Sequence, residues 1–308
     1  MVIPPRVRDG DRVAVCAPAA PVTAAQMSRG LELLGQRFRV EAAPELFVAS
    51  GFLAGDDAHR ADQFNRALRD PDVRAIIMAR GGYGVMRMLS LLDADALRRD
   101  PKPIVGFSDG VALLSWAERA GVLGIHGPVA RDLAKLPASD VAWLHRLLTD
   151  PEPPGEMPWS LSRLGAGGGG RRDGRLVGGN LTLLSVLVAT PWQVRSDGAV
   201  LLLEDIDEAP YAIDRYLTHL LCSGALAGAR AALVGDFTRC GDRTPGTTVD
   251  DPSPALAVIS ERLTALDLPA LAGAPLGHGS RNTAVPWGAR CVVDLDAGTM
   301  TLLDGAVA

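Results

Sequence analysis

The sequence predicts an α/β protein built as two domains, an N-terminal parallel sheet covered by helices and a smaller, mixed, β-rich C-terminal domain. Three observations carry that expectation. As far as Ala120 the chain alternates short apolar runs with amphipathic ones, the pattern of strands and covering helices in a parallel sheet. A proline- and glycine-rich stretch then interrupts the alternation, from Asp150-Pro151-Glu152-Pro153-Pro154 to Gly165-Ala166-Gly167-Gly168-Gly169-Gly170. At 308 residues the chain is also long for one domain.

The elements follow in order. Residues 12–17 read as a short strand stopped by Pro18 and Pro21, and Thr23 is placed to cap a helix with Met27, Leu31 and Leu34 on one face. A weaker strand at 38–40 precedes a helix over 56–68, closed by Asp70-Pro71. Residues 73–79 form a buried strand that leads into Arg80-Gly81-Gly82-Tyr83-Gly84. Helical patterns follow over 85–92 and 94–99, and a strand at 104–107 feeds a helix over 109–120. Beyond the interruption, Arg175-Leu176-Val177-Gly178-Gly179-Asn180 precedes a helix over 181–187. A strongly apolar strand at 199–204 ends in an acid. Helices over 211–223 and 254–266 flank a strand at 231–234, and the tail alternates as a hairpin would at 291–295 and 299–303. These limits place the domains at 1–150 and 173–308, with 151–172 as a linker and the glycine run as a flexible loop.

Between the strand and helix that close the first series lies Gly106-Phe107-Ser108-Asp109-Gly110, a G-x-S-x-G in the context of a nucleophile elbow. Small residues two positions either side of the serine permit a turn sharp enough to hold its hydroxyl out beside the positive end of the next helix. Gly, Ser and Asp also make ordinary turns, so the reading depends on partners for Ser108.

Composition narrows the classes. A hydrophobic content of 47% with 22% charged residues fits a globular protein with a substantial core. Net charge is −5 and the 31 basic residues are scattered, which disfavours nucleic-acid binding. Cys16, Cys222, Cys240 and Cys291 lie far apart without a C-x-x-C pair, as small core or surface residues rather than metal ligands. No apolar stretch is long enough to span a bilayer, and the first residues lack the apolar region of a signal peptide. A cytoplasmic protein with no membrane partner is expected.

An activated serine needs a base, and the base an orienting acid. His59 and His145 read as surface residues and His219 as a packed helical histidine. His126 ends a short strand, in the right region for a supporting role. His278 lies between glycines in Gly277-His278-Gly279, where small neighbours let the ring approach another backbone closely, and it is favoured over His126. Glu204 closes an apolar run and opens the cluster Glu204-Asp205-Ile206-Asp207-Glu208. The alternatives for that cluster are a solvated acidic loop or a divalent-metal site. The order Ser108, Glu204, His278 is that of elbow-bearing serine hydrolases. The N–H groups of Asp109 and of Gly81 or Gly82 are the candidate oxyanion donors. As a dinucleotide fingerprint the glycine loop fails, because Arg87 stands where the third glycine belongs.

Six motifs, taken in order, resemble the LD-carboxypeptidase family. They are Arg80-Gly81-Gly82-Tyr83-Gly84, Pro103-Ile104-Val105-Gly106-Phe107-Ser108-Asp109, His126-Gly127-Pro128, Gly178-Gly179-Asn180-Leu181, Leu203 to Tyr211 with Ile213-Asp214-Arg215, and Gly277-His278. The resemblance implies a Rossmann-like (flavodoxin-like) N-terminal domain with the serine and a β-rich C-terminal domain with the acid and base. It implies a serine peptidase that releases a terminal D-amino acid from an L,D-peptide bond of cell-wall tetrapeptides, as a homodimer without metal or cofactor. Ser108, Glu204 and His278 fall on the family's triad, and Gly81, Gly82 and Asp109 on its oxyanion donors. Relatives that cleave a peptide–nucleotide antibiotic give a second expectation for the small peptide substrate. An α/β-hydrolase-type esterase and a non-catalytic ligand-binding protein are the remaining readings. For the substrate carboxylate, Arg80, Tyr83, Asn180 and Arg215 are the candidates, with a structural hydrogen bond as the alternative for each.

Overall fold

The computed structural model of the chain describes residues 1–244 and 246–308. They form two compact units, Met1–Glu152 with Thr283–Trp287 and Gly305–Ala308, and Pro153–Asn282 with Gly288–Asp304.

In the first unit the expected alternation is present as β1 (Arg12–Cys16), α1 (Ala24–Gly35), β2 (Arg39–Glu41), α2 (Asp57–Arg69), β3 (Val73–Met78), α3 (Val85–Met88), α4 (Ala94–Arg99), β4 (Ile104–Gly106), α5 (Gly110–Arg119), β5 (Gly124–His126) and α6 (Ala138–Thr149). Local chemistry sets the boundaries. Thr23 Oγ1 accepts the Gln26 N–H at 3.3 Å while Gln26 Oε1 accepts the Thr23 N–H at 3.1 Å, a reciprocal cap that starts α1. Asp56 caps α2 through the His59 N–H. Apart from Arg74, all of β3 is buried, as its run of β-branched and apolar residues requires of a central strand.

The parallel strands lie in the order β2-β1-β3-β4-β5, and one late strand, Val285–Trp287, adds antiparallel to β5. This is the doubly wound flavodoxin-like order. Its reversal falls between β1 and β3, where such sheets open a crevice at their carboxyl edge. Arg60 holds the two lips of that crevice together. Its Nη1 donates to Pro18 O after β1 at 2.6 Å and to Gly84 O after β3 at 2.7 Å, and Asp57 pairs with the same guanidinium.

The second unit contains β6 (Gly155–Glu156), β7 (Ser162–Leu164), β8 (Arg171–Asn180), α7 (Leu181–Val186), β9 (Ala199–Ile206), α8 (Pro210–Cys222), β10 (Ala231–Thr238), α9 (Ser253–Ala265), β11 (Ala270–Ala272), β13 (Arg290–Asp294) and β14 (Thr299–Leu302), the strand Val285–Trp287 being β12. Its sheet runs β6-β14-β13-β8-β9-β10-β11-β7. The four strands β8 to β11 are parallel, and antiparallel strands finish both edges. Val200, Leu201, Leu202 and Leu203 of β9 and Ala231 to Val234 of β10 form its buried centre.

Three features depart from the sequence expectation. Residues 151–172 are not a free linker, because β6 and β7 pair with the two edges of the second sheet. Strands of two and three residues carry no readable alternation, and backbone pairing alone places them. The glycine run turns β7 into β8, with Gly167 O accepting from Arg163 at 2.6 Å and the Gly170 N–H donating to Asp296 at 2.9 Å. The helix expected over 85–92 stops at Met88 and continues as a 3₁₀ turn over Leu89–Leu91. Among the described residues no helix is long and apolar enough to cross a membrane.

One buried cation is central to the first unit. Lys102 is fully buried, and its Nζ donates to Leu68 O at 2.9 Å and Asp70 O at 2.7 Å and pairs with Asp100 at 2.9 Å. Burial pulls its ammonium below the usual lysine range, and Asp100 opposes that shift. Replacing Lys102 by Met strands these acceptors at the end of α2, an expected cost of about 3 kcal/mol. Urea unfolding checks it, and an unchanged midpoint would show that the ammonium holds nothing.

Candidate active site

In the first unit the candidate residues gather at the turn between β4 and α5. Ser108 sits at φ 61°, a left-handed conformation that costs a non-glycine residue on the order of 1 kcal/mol or more. Two hydrogen bonds close the turn, from the Gly110 N–H to Phe107 O and from the Val111 N–H to Ser108 O, each 3.0 Å. The flanking glycines leave room for the Met78 side chain of the neighbouring strand. A Cβ at 106 would lie 2.5 Å from Met78 Sδ, and one at 110 would lie 2.6 Å from it. Gly81 presses against the serine itself, since a Cβ there would fall 2.8 Å from Ser108 Cβ and 3.0 Å from Oγ. Gly82, at φ 120°, turns the same loop. The structure therefore brings the Gly81-Gly82 turn and the head of α5, with Asp109, to Ser108.

Asp109 also ties the elbow to the glycine loop, because its buried carboxylate accepts the Val85 N–H at 2.8 Å. Burial pushes its carboxyl up to about 6, against the pull of that hydrogen bond and of the Arg60 charge.

In the second unit a separate cluster lies at the carboxyl edge of its sheet. Glu204, fully buried on β9, places Oε2 2.7 Å from Nδ1 of His278, whose side chain is 15% exposed. Gly277 brings the two together. It takes φ 121°, and a Cβ on it would meet Glu204 Oε2 at 3.0 Å. A carboxylate on Nδ1 fixes the tautomer in which Nε2 carries the lone pair, the form that accepts a proton.

Asp205, on the opposite face of β9, organises the backbone around this acid. Its oxygens accept from Asn180 Nδ2 at 2.8 Å, from the Thr182 N–H and Oγ1 at 2.9 Å each, and from the Ile206 N–H at 2.8 Å. Burial raises its carboxyl above the usual range, and the charge of Glu204 adds to the rise. The alternation of a strand places consecutive acids on opposite faces, and that signal was available for Asp205. Among the described residues no group of three or more His, Cys, Asp or Glu side chains is placed to hold a metal ion.

The other candidates separate by their environments. Asn180 is the cap of α7, with Oδ1 accepting the Leu183 N–H at 3.1 Å and Nδ2 donating to Asp205, so its amide is already committed to the fold. Arg215 lies over the rings of Tyr211 and Tyr216 at 5.6 and 5.7 Å. It lines a cleft of about 650 Å³ with Glu208, Tyr211 and Arg243. Arg80 is half-buried and donates Nη1 to Pro21 O at 3.2 Å; burial, with the charge of Arg131, lowers its pKa from the ordinary arginine value. Tyr83 is exposed, its ring beside Phe52. His126 is buried at the end of β5, edge-on to Phe107.

His145 is not a surface residue. It is 6% exposed and packs edge-on to Phe38, because the apolar face of α6 is wider than its spacing suggests. His59 is half-buried, with Nε2 3.1 Å from Glu45 O. His219 is not the packed helical histidine expected: it lies on the exposed side of α8, outside the buried stripe of Ala212, Ile213, Leu217 and Leu220, with Nδ1 2.8 Å from Ser185 Oγ. Cys16, Cys240 and Cys291 are buried free thiols pushed up to about 12, chiefly by burial, and Cys222 is exposed and free.

Comparison with known proteins places this architecture. Residues 13–127 match the LD-carboxypeptidase N-terminal domain and residues 173–293 the LD-carboxypeptidase C-terminal domain. The chain belongs to that family of serine peptidases. A Streptomyces coelicolor protein named only provisionally as a carboxypeptidase is 37% identical, over 98% of this chain and 96% of its own. The murein tetrapeptide carboxypeptidase of Pseudomonas aeruginosa is 32% identical, over 92% of this chain and 93% of its own. The solved structure of the microcin C7 self-immunity protein MccF superposes with a TM-score of 0.87 at 22% identity, covering all of both chains. That likeness establishes the fold.

The desolvated carboxyl of Asp109 gives a pH dependence. An ordinary aspartate titrates near 3.8 and the folded one at about 6. The folded state therefore binds the extra proton between those values, and its stability falls as pH rises through that window. Asp109→Asn removes this dependence, so between pH 4 and pH 7 the wild type is expected to lose on the order of 3 kcal/mol relative to the variant. Urea melts at the two pH values measure it, and parallel pH slopes would contradict the buried, raised carboxyl.

Proposed function

We propose that the chain is a serine carboxypeptidase that hydrolyses an L,D-peptide bond and releases the terminal D-amino acid of a muropeptide tetrapeptide. The observation that carries the reading is the 2.7 Å hydrogen bond from His278 Nδ1 to the buried Glu204 carboxylate, in a chain that also strains a serine into an elbow. In this reading Ser108 is the nucleophile, His278 its base and Glu204 the orienting acid.

His278 Nε2 takes the hydroxyl proton as Oγ attacks the carbonyl of the L-residue, and Glu204 stabilises the imidazolium. The N–H groups of Asp109 and the Gly81-Gly82 turn hold the oxyanion. Collapse of the tetrahedral intermediate breaks the C–N bond, and His278 returns the proton to the departing D-amino acid. Water, deprotonated by the same imidazole, then attacks the acyl-enzyme and regenerates Ser108. Family membership and similarity to the Pseudomonas aeruginosa murein enzyme support the substrate class. The same reading places the protein in the cytoplasm, in recycling of cell-wall peptide, as a homodimer that needs no metal or cofactor.

A second substrate class is a peptide–nucleotide conjugate. Its support is the fold shared with MccF, one structure of which is in complex with glutamyl sulfamoyl guanosine.

D-Alanine release from a tetrapeptide is the test. Ser108→Ala is expected to lower kcat by at least about 10⁴-fold, and Glu204→Gln by a similar factor. Activity that survives Ser108→Ala would overturn the triad. Faster turnover of an aminoacyl sulfamoyl nucleoside than of the tetrapeptide would replace the first substrate class by the second. Tight ligand binding with no turnover in the wild type would make the protein a binder.

A further inference from the structure

β9 and β10 are parallel neighbours, but their register slips opposite the acid. Leu203 pairs with Val234 and Asp205 with Phe237. Glu204 therefore faces two residues, Gly235 and Asp236, and β10 bulges there. Bulges re-aim side chains at the ends of strands, and this one aims at the loop that carries His278.

Asp236 holds that loop at two points. Its N–H donates to Leu276 O at 2.8 Å, and its carboxylate accepts the Gly279 N–H. The fit is tight at both glycines beside the histidine. A Cβ on Gly279 would fall 2.1 Å from Asp236 Oδ2, and one on Gly277 would fall 3.3 Å from Asp236 Cβ and 3.0 Å from Glu204 Oε2. Gly235 leaves no room either, since a Cβ there would meet Leu276 O at 2.4 Å.

The imidazole is thus gripped from two strands. Glu204 of β9 holds the ring, and Asp236 of β10 holds the backbone on both sides of it. Burial and the charge of Glu204 push the Asp236 carboxyl above its usual range, while the Gly279 hydrogen bond and the His278 ring pull it back. A half-buried carboxylate beside a second, fully buried one is an expensive arrangement, and its bond to the Gly279 N–H of the histidine loop is what it obtains.

We propose that Asp236 is a positioning residue that acts through His278, fixing loop 276–279 so that the imidazole stays on Glu204. The proposal rests on the reading of His278 as the base.

The test has one arm that needs no activity. In the wild type, the Nδ1–H of His278 is expected as a downfield proton resonance, shielded from exchange by Glu204. Asp236→Ala is expected to broaden or erase that signal, whereas Asp236→Asn, which keeps an oxygen for the Gly279 N–H, retains it. In the activity arm, Asp236→Ala is expected to lower kcat by roughly 10²-fold with KM nearly unchanged, the scale on which misplaced groups lose rate. Asp236→Asn recovers most of the loss. Gly279→Ala reproduces it, and adding Gly279→Ala to Asp236→Ala costs little more, the non-additivity of two changes at one contact.

A wild-type resonance and wild-type kcat in Asp236→Ala would overturn the proposal. Equal losses in Asp236→Ala and Asp236→Asn, with lowered melting temperatures in both, would also overturn it, by reducing Asp236 to a structural residue. If the wild type shows no Ser108-dependent cleavage, the peptidase reading fails, and the resonance arm still decides whether Asp236 holds the loop.

Discussion

Crowding around one sulfur atom shapes the elbow. Met78 Sδ, at the end of β3, stands where a Cβ on either Gly106 or Gly110 would have to be. Both positions are bare, and the serine between them takes φ 61°. Strain of this kind persists only when its surroundings over-determine it. Here the surroundings are Gly81 against the serine side chain, two turn hydrogen bonds and the Asp109 carboxylate on the next loop. Arg60 then fixes that loop to the one after β1. The carboxyl edge of the first sheet is in this way a set of loops locked around one hydroxyl.

The second unit solves a different problem, three acids held close together at the end of a sheet. Asp205 is compensated by four hydrogen bonds from the start of α7 and its own strand. Glu204 spends one oxygen on His278, and its Oε1 has no hydrogen-bond partner among the described residues. Asp236 is compensated by a loop N–H. The desolvation cost of these groups is a reason for them to hold their partners in one geometry, since any loosening leaves a buried carboxylate exposed to its neighbours' charge.

Much of this was legible in the sequence where a single local cause acts. The elbow showed itself because a sharp turn needs Gly106 and Gly110. The cap at Thr23 has its partner Gln26 three residues on, and His278 was marked by its glycines. The parallel sheet followed from alternation. What escaped was set by pairing at a distance. β6, β7 and β12 are two or three residues long and gain their place from strands far along the chain. Asn180 was open between a substrate contact and a structural hydrogen bond, and only the folded strand pairs reveal Asp205 as its partner. Asp236 lies in a bulge, and a slip of register leaves no mark in composition or period. His145 shows the same limit, since one helix face can be buried more broadly than its hydrophobic spacing announces.

In the proposed reaction Ser108 is activated by His278 under the control of Glu204. Reaction of the wild-type protein with a fluorophosphonate, followed by mass spectrometry of the adduct, tests it most directly. A single adduct on Ser108 is expected, formed at a rate that collapses in His278→Ala and in Glu204→Gln. An adduct on another residue, or labelling of Ser108 at an undiminished rate in both variants, would contradict it.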